Sequence, residues 1–348
     1  MNVVELAQSL VSLPSVSGNE AACVELLRSV LADHAPVVSG RNVFAMRGDG
    51  TNTLLLNSHT DTVPASGEWT IDPHAAEIRD GKLHGLGAND AKGPLAALVV
   101  AFLTAEVPAG ARLLLAATCD EEIGGEGLGV LRPALPEISA AIIGEPTALQ
   151  VCSCQRGLLR VRLTAGGQRA HAARPWEGEN AIEKAARDVV ALQHLELPAK
   201  HPILGAATLQ VTKIDGGVAT NVVPPECVME IDARTLPALG NRELYDRIAA
   251  ATESDAELVS ERFQPVETAD HESIVRAALH ATGNDAPCAF GGVSDFFHVR
   301  DVPGIVMGPG LSHQSHAADE WIELSMLERG VAAYSETVER YFAAIGSA

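Results

Sequence analysis

Short, almost wholly apolar runs alternate with helix-like segments over the first 150 residues of the chain. The strand-like runs are "NVFAMR", "TLLLNS", "ARLLLAATCD" and "AAIIGEP", and "PLAALVVAFLTA" between them is an apolar helix with proline in its first turn. Runs that are apolar throughout indicate strands buried on both faces. Their alternation with helices predicts an α/β fold with a mostly parallel sheet flanked by helices.

The first two helices have signals at their ends. The apolar spacing over residues 2–13 is that of an amphipathic helix, which Pro14 ends. In the following "SGNE", Ser17 comes three residues before Glu20. This spacing predicts a capping box that opens a second helix reaching about Asp33.

The pattern changes after about Cys154. "GLLRVRLTAGG", "ATLQVTKIDGG" and "CVMEIDARTL" alternate apolar and polar residues, which is typical of half-exposed antiparallel strands. Helix-like runs separate them. The alternation of helices with apolar strands returns near residue 268 with "HESIVRAALHAT", "GIVMG" and a long closing helix. We therefore expect one α/β domain, residues 1–155 and 268–348, interrupted by a smaller α+β domain at 156–267.

Polar side chains gather where the apolar strands end. The candidates are His59, Asp61, Asp90, Asp120, Glu121, Glu122, Glu145 and His316. Each has an ordinary explanation when taken singly: a loop histidine, a helix N-cap for Asp90, or a solvated glutamate pair. Functional groups of open α/β sheets lie at these strand ends, however, so we expect several of them to converge.

Convergence of these carboxylates without cations would raise their pKa values by mutual repulsion, and a bound divalent metal removes that conflict. Histidine and carboxylate ligands of mixed type suit Zn²⁺, or Co²⁺ or Mn²⁺ at higher coordination number. Five ligands are too many for one tetrahedral site with an open position. They fit two metal ions that share a bridging carboxylate.

The pair His59 and Asp61 fits this interpretation. Residues two apart in an extended chain point to the same side. His59 can then bind metal while Asp61 accepts a hydrogen bond from its other ring nitrogen, which fixes the tautomer and raises the basicity of the ligand.

Five motifs resemble the M20 metallopeptidase and amidohydrolase family, and they occur in order over nearly the whole chain. They are "SHTDTVP", "GLGANDAKG", "DEEIGGEG", "GEPT" and "SHQSHAADE". Within the family, "GLGANDAKG" and "MGPGLSHQSHAADEWI" are most similar to the acetylornithine deacetylase branch. The resemblance implies that the inserted domain is a dimerisation or lid domain.

The resemblance also implies roles for the clustered residues. It implies that His59 and Glu145 hold one metal ion, that Glu122 and His316 hold the other, and that Asp90 bridges the two. It further implies that Glu121 is the general base and that Asp61 supports His59.

Residues of the insert have roles by resemblance as well. His171 would be an oxyanion donor that reaches the site of a partner subunit, and Asn221 and Arg234 would contact substrate. The family commonly has serines after the insert histidine, where this chain has Ala172 and Ala173. Ser294, in "GGVSDFF", either contacts substrate or caps the helix that follows.

Composition narrows the function classes. The formal net charge of −20 disfavours nucleic acid and anionic membrane surfaces as partners. The six cysteines form no C-x-x-C pair, which predicts no disulfide framework. The N-terminus has no signal-peptide pattern, and no apolar run is long enough to span a membrane, so a cytoplasmic location is expected.

The expected activity is hydrolysis of an N-acyl amino acid by a dinuclear metal enzyme, and Nα-acetylornithine is the leading candidate substrate. The expected assembly is a homodimer. Alternatives within the family are an N-acyl-lysine hydrolase, an acetylcitrulline deacetylase and a dipeptidase. Release of lysine from an acidic carrier protein is disfavoured because two acidic surfaces repel. A non-catalytic scaffold is the alternative from another class.

Overall fold

The computed structural model describes residues 2–125, 127–197 and 200–346. It divides the chain into two compact units. The first contains Met1–Ser153, Thr268–Phe290 and Ser294–Ala348, and the second contains Cys154–Glu267 and Gly291–Val293.

The helices and strands follow in chain order. The α-helices are α1 (Val3–Val11), α2 (Ala21–Val30), α3 (Lys92–Thr104), α4 (Gly127–Leu131), α5 (Ala181–Gln193), α6 (Asn241–Ala251), α7 (Ser273–Thr282) and α8 (Leu324–Gly346). The β-strands are β1 (Val37–Ser39), β2 (Asn42–Arg47), β3 (Asn52–His59), β4 (Glu77–Arg79), β5 (Lys82–His84), β6 (Ala111–Thr118), β7 (Ala140–Ile143), β8 (Cys152–Gln155), β9 (Gly157–Gly166), β10 (Ala170–His171), β11 (Thr208–Gly216), β12 (Val222–Val223), β13 (Glu226–Thr235), β14 (Asp255–Phe263), β15 (Val266–Glu267), β16 (Cys288–Phe290), β17 (Gly304–Val306) and β18 (Trp321–Glu323).

The main sheet of the first unit has the order β1-β2-β6-β3-β7-β17-β8. Its centre is parallel: β3 pairs with β6 on one side and β7 on the other, and β17 continues beyond β7. The pairs β1–β2, β2–β6 and β17–β8 are antiparallel. The predicted α/β fold with a mostly parallel sheet flanked by helices is confirmed, with the parallel pairs at the centre of the sheet and the antiparallel pairs toward its two sides.

Both faces of this sheet are covered, as the apolar strands require. Leu54 and Leu56 of β3 join the large apolar cluster formed with α1, α2, α3, α7 and α8. Leu55 between them is also fully buried but points to the opposite face. Helix α4 packs against β2 and β6, and a 3₁₀ turn over Asp295–Val299 packs against β7 and β17.

The predicted capping box at the start of α2 is wrong. Glu20, not Ser17, is the N-cap residue, and it makes no side-chain cap hydrogen bond. Ser17 Oγ instead donates to Asp61 Oδ2 over 2.7 Å, and Glu20 lies 2.6 Å from a guanidinium nitrogen of Arg41. Charged partners give stronger hydrogen bonds than the helix terminus offers, so both side chains turn away from it. Helix α2 also ends at Val30, and a short 3₁₀ turn follows.

The second unit is an α+β domain, as the alternating pattern predicts. Its four-stranded sheet has the order β11-β13-β9-β14, with every neighbouring pair antiparallel. Helices α5 and α6 pack against this sheet, and alternate residues of β13 are buried. A short antiparallel pair, β10 with β12, carries His171 opposite Val222.

Among the described residues, no helix combines the length and the hydropathy that crossing a membrane requires.

Candidate metal centre

Three neighbouring parallel strands deliver polar residues to one edge of the main sheet. His59 is the last residue of β3 and lies opposite Thr118, the last residue of β6. Glu121 and Glu122 follow β6, and Glu145 follows β7 on the other side of β3. Because carboxyl ends of parallel strands share one edge, the fold itself brings these side chains together.

Asp90 reaches the same place from the loop between β5 and α3. Glu320, which immediately precedes β18, is buried, and its carboxylate accepts hydrogen bonds from the backbone N–H groups of Gly87, Asn89 and Asp90 at 2.7–3.1 Å. Gly87 has φ +81°, and a Cβ there would lie 2.8 Å from Thr62 Cγ2, so only glycine fits. Glu320 thereby fixes the loop that presents Asp90. Glu320 is the last residue of the motif "SHQSHAADE", and its place in that motif is the sequence signal that could have identified it.

The two carboxylate oxygens of Asp90 face different histidines. Oδ1 lies 3.3 Å from His59 Nε2, and Oδ2 lies 3.8 Å from His316 Nε2. Glu145 Oε1 is 3.9 Å from His59 Nε2, while Glu122 Oε2 is 2.9 Å from His316 Nε2. All five predicted metal ligands therefore come together, with Asp90 between two pairs of donors.

The donor atoms fit a divalent cation. Ligand atoms of His59, Asp90 and Glu122 all lie within 4.8 Å of one another. Glu122 Oε1 and Glu145 Oε1 are buried without a hydrogen-bond partner, which is costly for a carboxylate unless a cation takes that place. Burial raises the pKa of Glu145 well above its usual range, and repulsion from Asp90 adds to this despite the opposing effect of His59.

Asp61 contacts both His59 and the glutamate pair. His59 Nδ1 lies 3.0 Å from the main-chain carbonyl oxygen of Asp61 and 3.5 Å from its carboxylate Oδ1. The carboxylate also accepts hydrogen bonds from the backbone N–H groups of Glu121 and Glu122, at 3.1 and 3.2 Å. The last two contacts were not expected. Asp61 thus orients the histidine ring chiefly through its main-chain carbonyl, and its buried carboxylate holds the backbone of both glutamates.

The Glu121 carboxyl is half-buried, and the backbone N–H of this residue donates to Asp61. Burial raises its pKa well above the usual range, and the charge of Glu145 raises it further. A carboxyl in this state takes up a proton more readily than an exposed glutamate does.

An ion-pair cluster that the sequence did not reveal holds the turn before the glutamates. Arg41 binds both carboxylate oxygens of Asp120, and one of its nitrogens also lies 2.6 Å from Glu20. Asp120 has φ +59°, an uncommon backbone conformation for a residue other than glycine. This pair therefore supports the sharp turn that directs Glu121 and Glu122.

The predicted oxyanion donor lies in the second unit. His171 is exposed, and its Nδ1 accepts a hydrogen bond from the backbone N–H of Ala173 at 3.0 Å. An accepting Nδ1 puts the proton of the neutral ring on Nε2. The backbone of Ala173 thus orients this ring where the family commonly has serines. Asn221 lies close by, since its carbonyl oxygen accepts from the N–H of Ala172.

The other two predicted substrate contacts have partners of their own. Arg234, also in the second unit, pairs with Asp232 through its Nε at 2.8 Å and Nη2 at 3.3 Å. Ser294 is buried, and its Oγ accepts from the N–H of Phe296 at 3.4 Å, capping the turn that follows. The cap alternative for Ser294 is present in the structure, and its contact with substrate stays a prediction.

Known proteins resemble this chain over nearly its full length. The model of Peptidase family M20/M25/M40 matches residues 55–340. Acetylornithine deacetylase of Proteus mirabilis (strain HI4320) is 30% identical over 364 residues, covering 93% of each chain. A Neosartorya fischeri protein named "Probable carboxypeptidase" is 29% identical over 387 residues, covering 95% of this chain and 85% of its own.

Solved structures share the fold at lower identity. Aminopeptidase PepT from Bacillus cereus has a TM-score of 0.80 at 20% identity, covering 98% of each chain. The YXEP protein of Bacillus subtilis, described as a dinuclear metal binding peptidase, has a TM-score of 0.71 at 16% identity, covering 97% of this chain and 96% of its own. The matched family model and the near-complete coverage agree with the site geometry: the chain belongs to peptidase family M20/M25/M40 and is a metal-dependent hydrolase of that family.

Proposed function

We propose that this protein is a dinuclear metal hydrolase that removes the acyl group of N-acyl amino acids, with Nα-acetylornithine as the leading substrate. The observation that carries the proposal is the position of Asp90, whose two oxygens face His59 and His316. On each side of Asp90, a glutamate adds a buried carboxylate oxygen that has no hydrogen-bond partner: Glu145 beside His59, and Glu122 beside His316. The relative with acetylornithine deacetylase activity in its name, and the dinuclear YXEP protein, support this choice.

The proposed donors divide into two sets that share Asp90. His59 and Glu145 would hold one ion, and Glu122 and His316 the other. Zn²⁺ is the leading candidate, with Co²⁺ and Mn²⁺ as alternatives that accept the same ligands. When bound, such ions supply Lewis-acid activation of the amide carbonyl and of the attacking water.

Glu121 is the proposed general base and acid. Its carboxylate takes the proton of the attacking water and returns it to the nitrogen of the leaving amine. The raised pKa that burial causes favours the first of these transfers. Asp61 keeps the backbone of Glu121 in place through the hydrogen bond to its N–H.

A homodimer formed through the second unit is part of the proposal. Strand β11 is the edge of its sheet, and Ile214 on it is 53% exposed. Ile182 and Val190 of α5 are exposed as well, and Ile182 lies beside Gly216 at the end of β11. An open strand edge next to exposed apolar residues is a natural pairing surface. In such a dimer His171 would donate its Nε2–H to the oxyanion in the partner's site.

Arg234 is the proposed receptor for the substrate α-carboxylate, because a guanidinium binds a carboxylate through two parallel hydrogen bonds. Its present partner is Asp232. The substrate α-carboxylate would therefore share Arg234 with Asp232 or displace Asp232 from it. A substrate with an uncharged group in place of the carboxylate would bind Arg234 only weakly.

A dipeptidase is the second candidate, and the carboxypeptidase relative supports it. N-acyl-lysine and N-acetylcitrulline are further candidates within the deacylase class. A carrier protein with a linked lysine is disfavoured by the net charge of −20 if that carrier is acidic. The predicted cytoplasmic location is not needed for any of these.

The deciding experiment is a substrate panel on enzyme loaded in turn with Zn²⁺, Co²⁺ and Mn²⁺. The panel contains N-acetyl and N-succinyl forms of ornithine, lysine, citrulline and diaminopimelate, together with unblocked dipeptides. Hydrolysis of acetylornithine with the highest kcat/KM supports the proposal. Hydrolysis of dipeptides alone would replace it with the dipeptidase, and metal binding without any turnover would favour a scaffold.

A further inference from the structure

Two of the six cysteines meet in the first unit although 136 positions separate them in sequence. Cys152 lies in β8 and Cys288 begins β16, which pairs with β8. Their Sγ atoms are 3.2 Å apart, and the backbone N–H of Cys288 donates to the carbonyl oxygen of Val151 at 2.9 Å. Backbone pairing therefore holds the two thiols in contact.

The pair combines a buried thiol with an accessible one. Cys152 is 3% exposed, whereas Cys288 is only partly buried. Small oxidants in solvent can thus approach Cys288, with Cys152 directly behind it. A reactive thiol next to a second, resolving thiol is the arrangement of reversible redox sites.

The surroundings also favour the thiolate of Cys288. The hydrogen bond with Cys152 lowers the pKa of Cys288 to about 7, outweighing the opposite effect of burial. Burial instead raises the pKa of Cys23, Cys119 and Cys227. Since the thiolate is the nucleophile, Cys288 is the most reactive of these four.

We propose that Cys152 and Cys288 form a reversible dithiol–disulfide site that hydroperoxides oxidise. The Cys288 sulfur attacks one peroxide oxygen, the O–O bond breaks, and a sulfenic acid forms with release of water. The Cys152 sulfur then attacks the sulfenic sulfur, the S–O bond breaks, and a disulfide forms with release of a second water. Two thiols and one hydrogen peroxide thus give one disulfide and two waters, and an external dithiol reverses the change.

The bond would tie β8 to β16 covalently. Strand β16 ends at Phe290, four residues before Ser294, so the bond would anchor the beginning of the segment that leads to the turn at Asp295–Val299. The proposal does not depend on the proposed substrate. It also differs from a structural disulfide framework, since it concerns a pair that is reduced until an oxidant arrives.

The test treats the metal-loaded protein with increasing hydrogen peroxide, then counts thiols after denaturation and measures the intact mass. We expect the six thiols to fall to four, with loss of two hydrogen atoms from the mass and full recovery with dithiothreitol. Proteolysis of the oxidised protein should give one new peptide pair that joins Cys152 to Cys288. The oxidised protein should also unfold at a higher urea concentration, because the link restricts the unfolded chain.

Three variants make the test specific. Cys288→Ser should form no disulfide, and Cys152→Ser should instead gain oxygen atoms at Cys288, because the sulfenic acid has no resolving thiol. The matched control is Cys154→Ser, two positions along β8 from Cys152, which should still form the bond. Cys152 and Cys154 are buried, so circular dichroism is used to verify that each variant folds. If the variants at these two positions do not fold, the comparison of wild type with Cys288→Ser is sufficient, because Cys288 is partly exposed.

Some results would overturn the proposal. They are six remaining thiols at a peroxide concentration that oxidises free cysteine, a disulfide that persists in Cys288→Ser, or a linked peptide pair that contains Cys154 in place of Cys152.

Discussion

The adjacent residues Glu121 and Glu122 have different surroundings despite identical chemistry. Asp61 accepts a hydrogen bond from the backbone N–H of each. Glu122 then reaches His316 with one carboxylate oxygen and leaves the other buried without a partner. Glu121 is half-buried, and burial raises its pKa. Backbone geometry thus separates a ligand-like side chain from a base-like one.

Replacing each glutamate by glutamine should separate metal binding from proton transfer. Glu121→Gln should keep both metal ions and lose about 10²–10⁴ in kcat, the usual contribution of a general acid–base group. Glu122→Gln should lose metal, as should His316→Ala, because each removes a charged or imidazole ligand. Metal analysis by mass spectrometry alongside steady-state kinetics checks this, with the exposed Glu137→Gln as control. Loss of metal from Glu121→Gln, or wild-type turnover in it, would contradict the assignment.

Arg234 supplies a second prediction for a single side chain. Converting the substrate α-carboxylate to an amide should cost about 2–5 kcal/mol in transition-state binding if the charge pair is desolvated. Arg234→Met should reduce kcat/KM for the free acid and leave the amide almost unchanged. Arg162→Met is the matched control, an arginine on β9 opposite Glu230 of β13. Equal losses for acid and amide would show that Arg234 does not bind the carboxylate.

At the scale of secondary-structure elements, strand ends were the most predictable feature of this molecule. Apolar runs identified β3, β6 and β7, and parallel pairing brought His59 at the end of β3 to the same edge as Glu122, which follows β6, and Glu145, which follows β7. The partners of Glu20 were not predictable, because local spacing indicates a capping box while Arg41, 21 positions away, offers a stronger contact. The link from Arg41 to Asp120 spans 79 positions. Such contacts depend on tertiary packing, which no local pattern encodes.

The Arg41–Asp120 pair should stabilise the turn after β6 in a pH-dependent way. The hydrogen bonds from Arg41 lower the pKa of Asp120 below its usual value, despite partial burial. A lowered folded-state pKa contributes stability above the unfolded-state pKa of about 4, and that stability is lost as pH falls through the folded-state value. Asp120→Asn should therefore lower the free energy of unfolding by about 1–3 kcal/mol at neutral pH, which is the usual range for hydrogen bonds to charged groups. The larger cost of breaking a buried ion pair does not apply, because Arg41 is 38% exposed and solvent screens the pair.

Urea unfolding of wild type and Asp120→Asn at about pH 7, 5 and 3 measures the difference. The difference in the free energy of unfolding between the two proteins should be equal at the two higher pH values and smaller at the lowest pH. Glu25→Gln, which breaks an exposed pair with Arg28, should show no comparable difference. A gap that does not shrink in acid would mean that Asp120 acts through packing and not through its charge. Lower kcat with unchanged metal content in Asp120→Asn would further indicate that the turn positions Glu121.

At the scale of the whole molecule, the metal cluster and the proposed oxyanion donor belong to different units. His59, Asp90, Glu121, Glu122, Glu145 and His316 lie in the first unit, and His171 lies in the second. The family resemblance was necessary to assign a role to His171, because a lone exposed histidine gives no functional signal of its own. The exposed strand β11 and the apolar residues of α5 supply a physical reason for pairing of two copies. The proposed action of His171 in trans is therefore the part of the proposal that local sequence patterns support least, and it is the most informative part to test.

Mixing two inactive variants tests the dimer and the role of His171 together. His171→Ala should keep its metal ions and lose about 10²–10³ in kcat, as removal of one oxyanion donor does. Glu121→Gln should be inactive for a different reason, the loss of the proposed general base. If His171 acts in trans, a mixed dimer has one site with an intact Glu121 from one subunit and an intact His171 from the other, so activity returns on subunit exchange. If His171 acts in cis, each site of the mixed dimer lacks one of the two groups, and activity stays at the level of the variants. Sedimentation and a fluorescence exchange assay verify that mixed dimers form. A fully active monomer, or no recovery after verified exchange, would rule out action in trans.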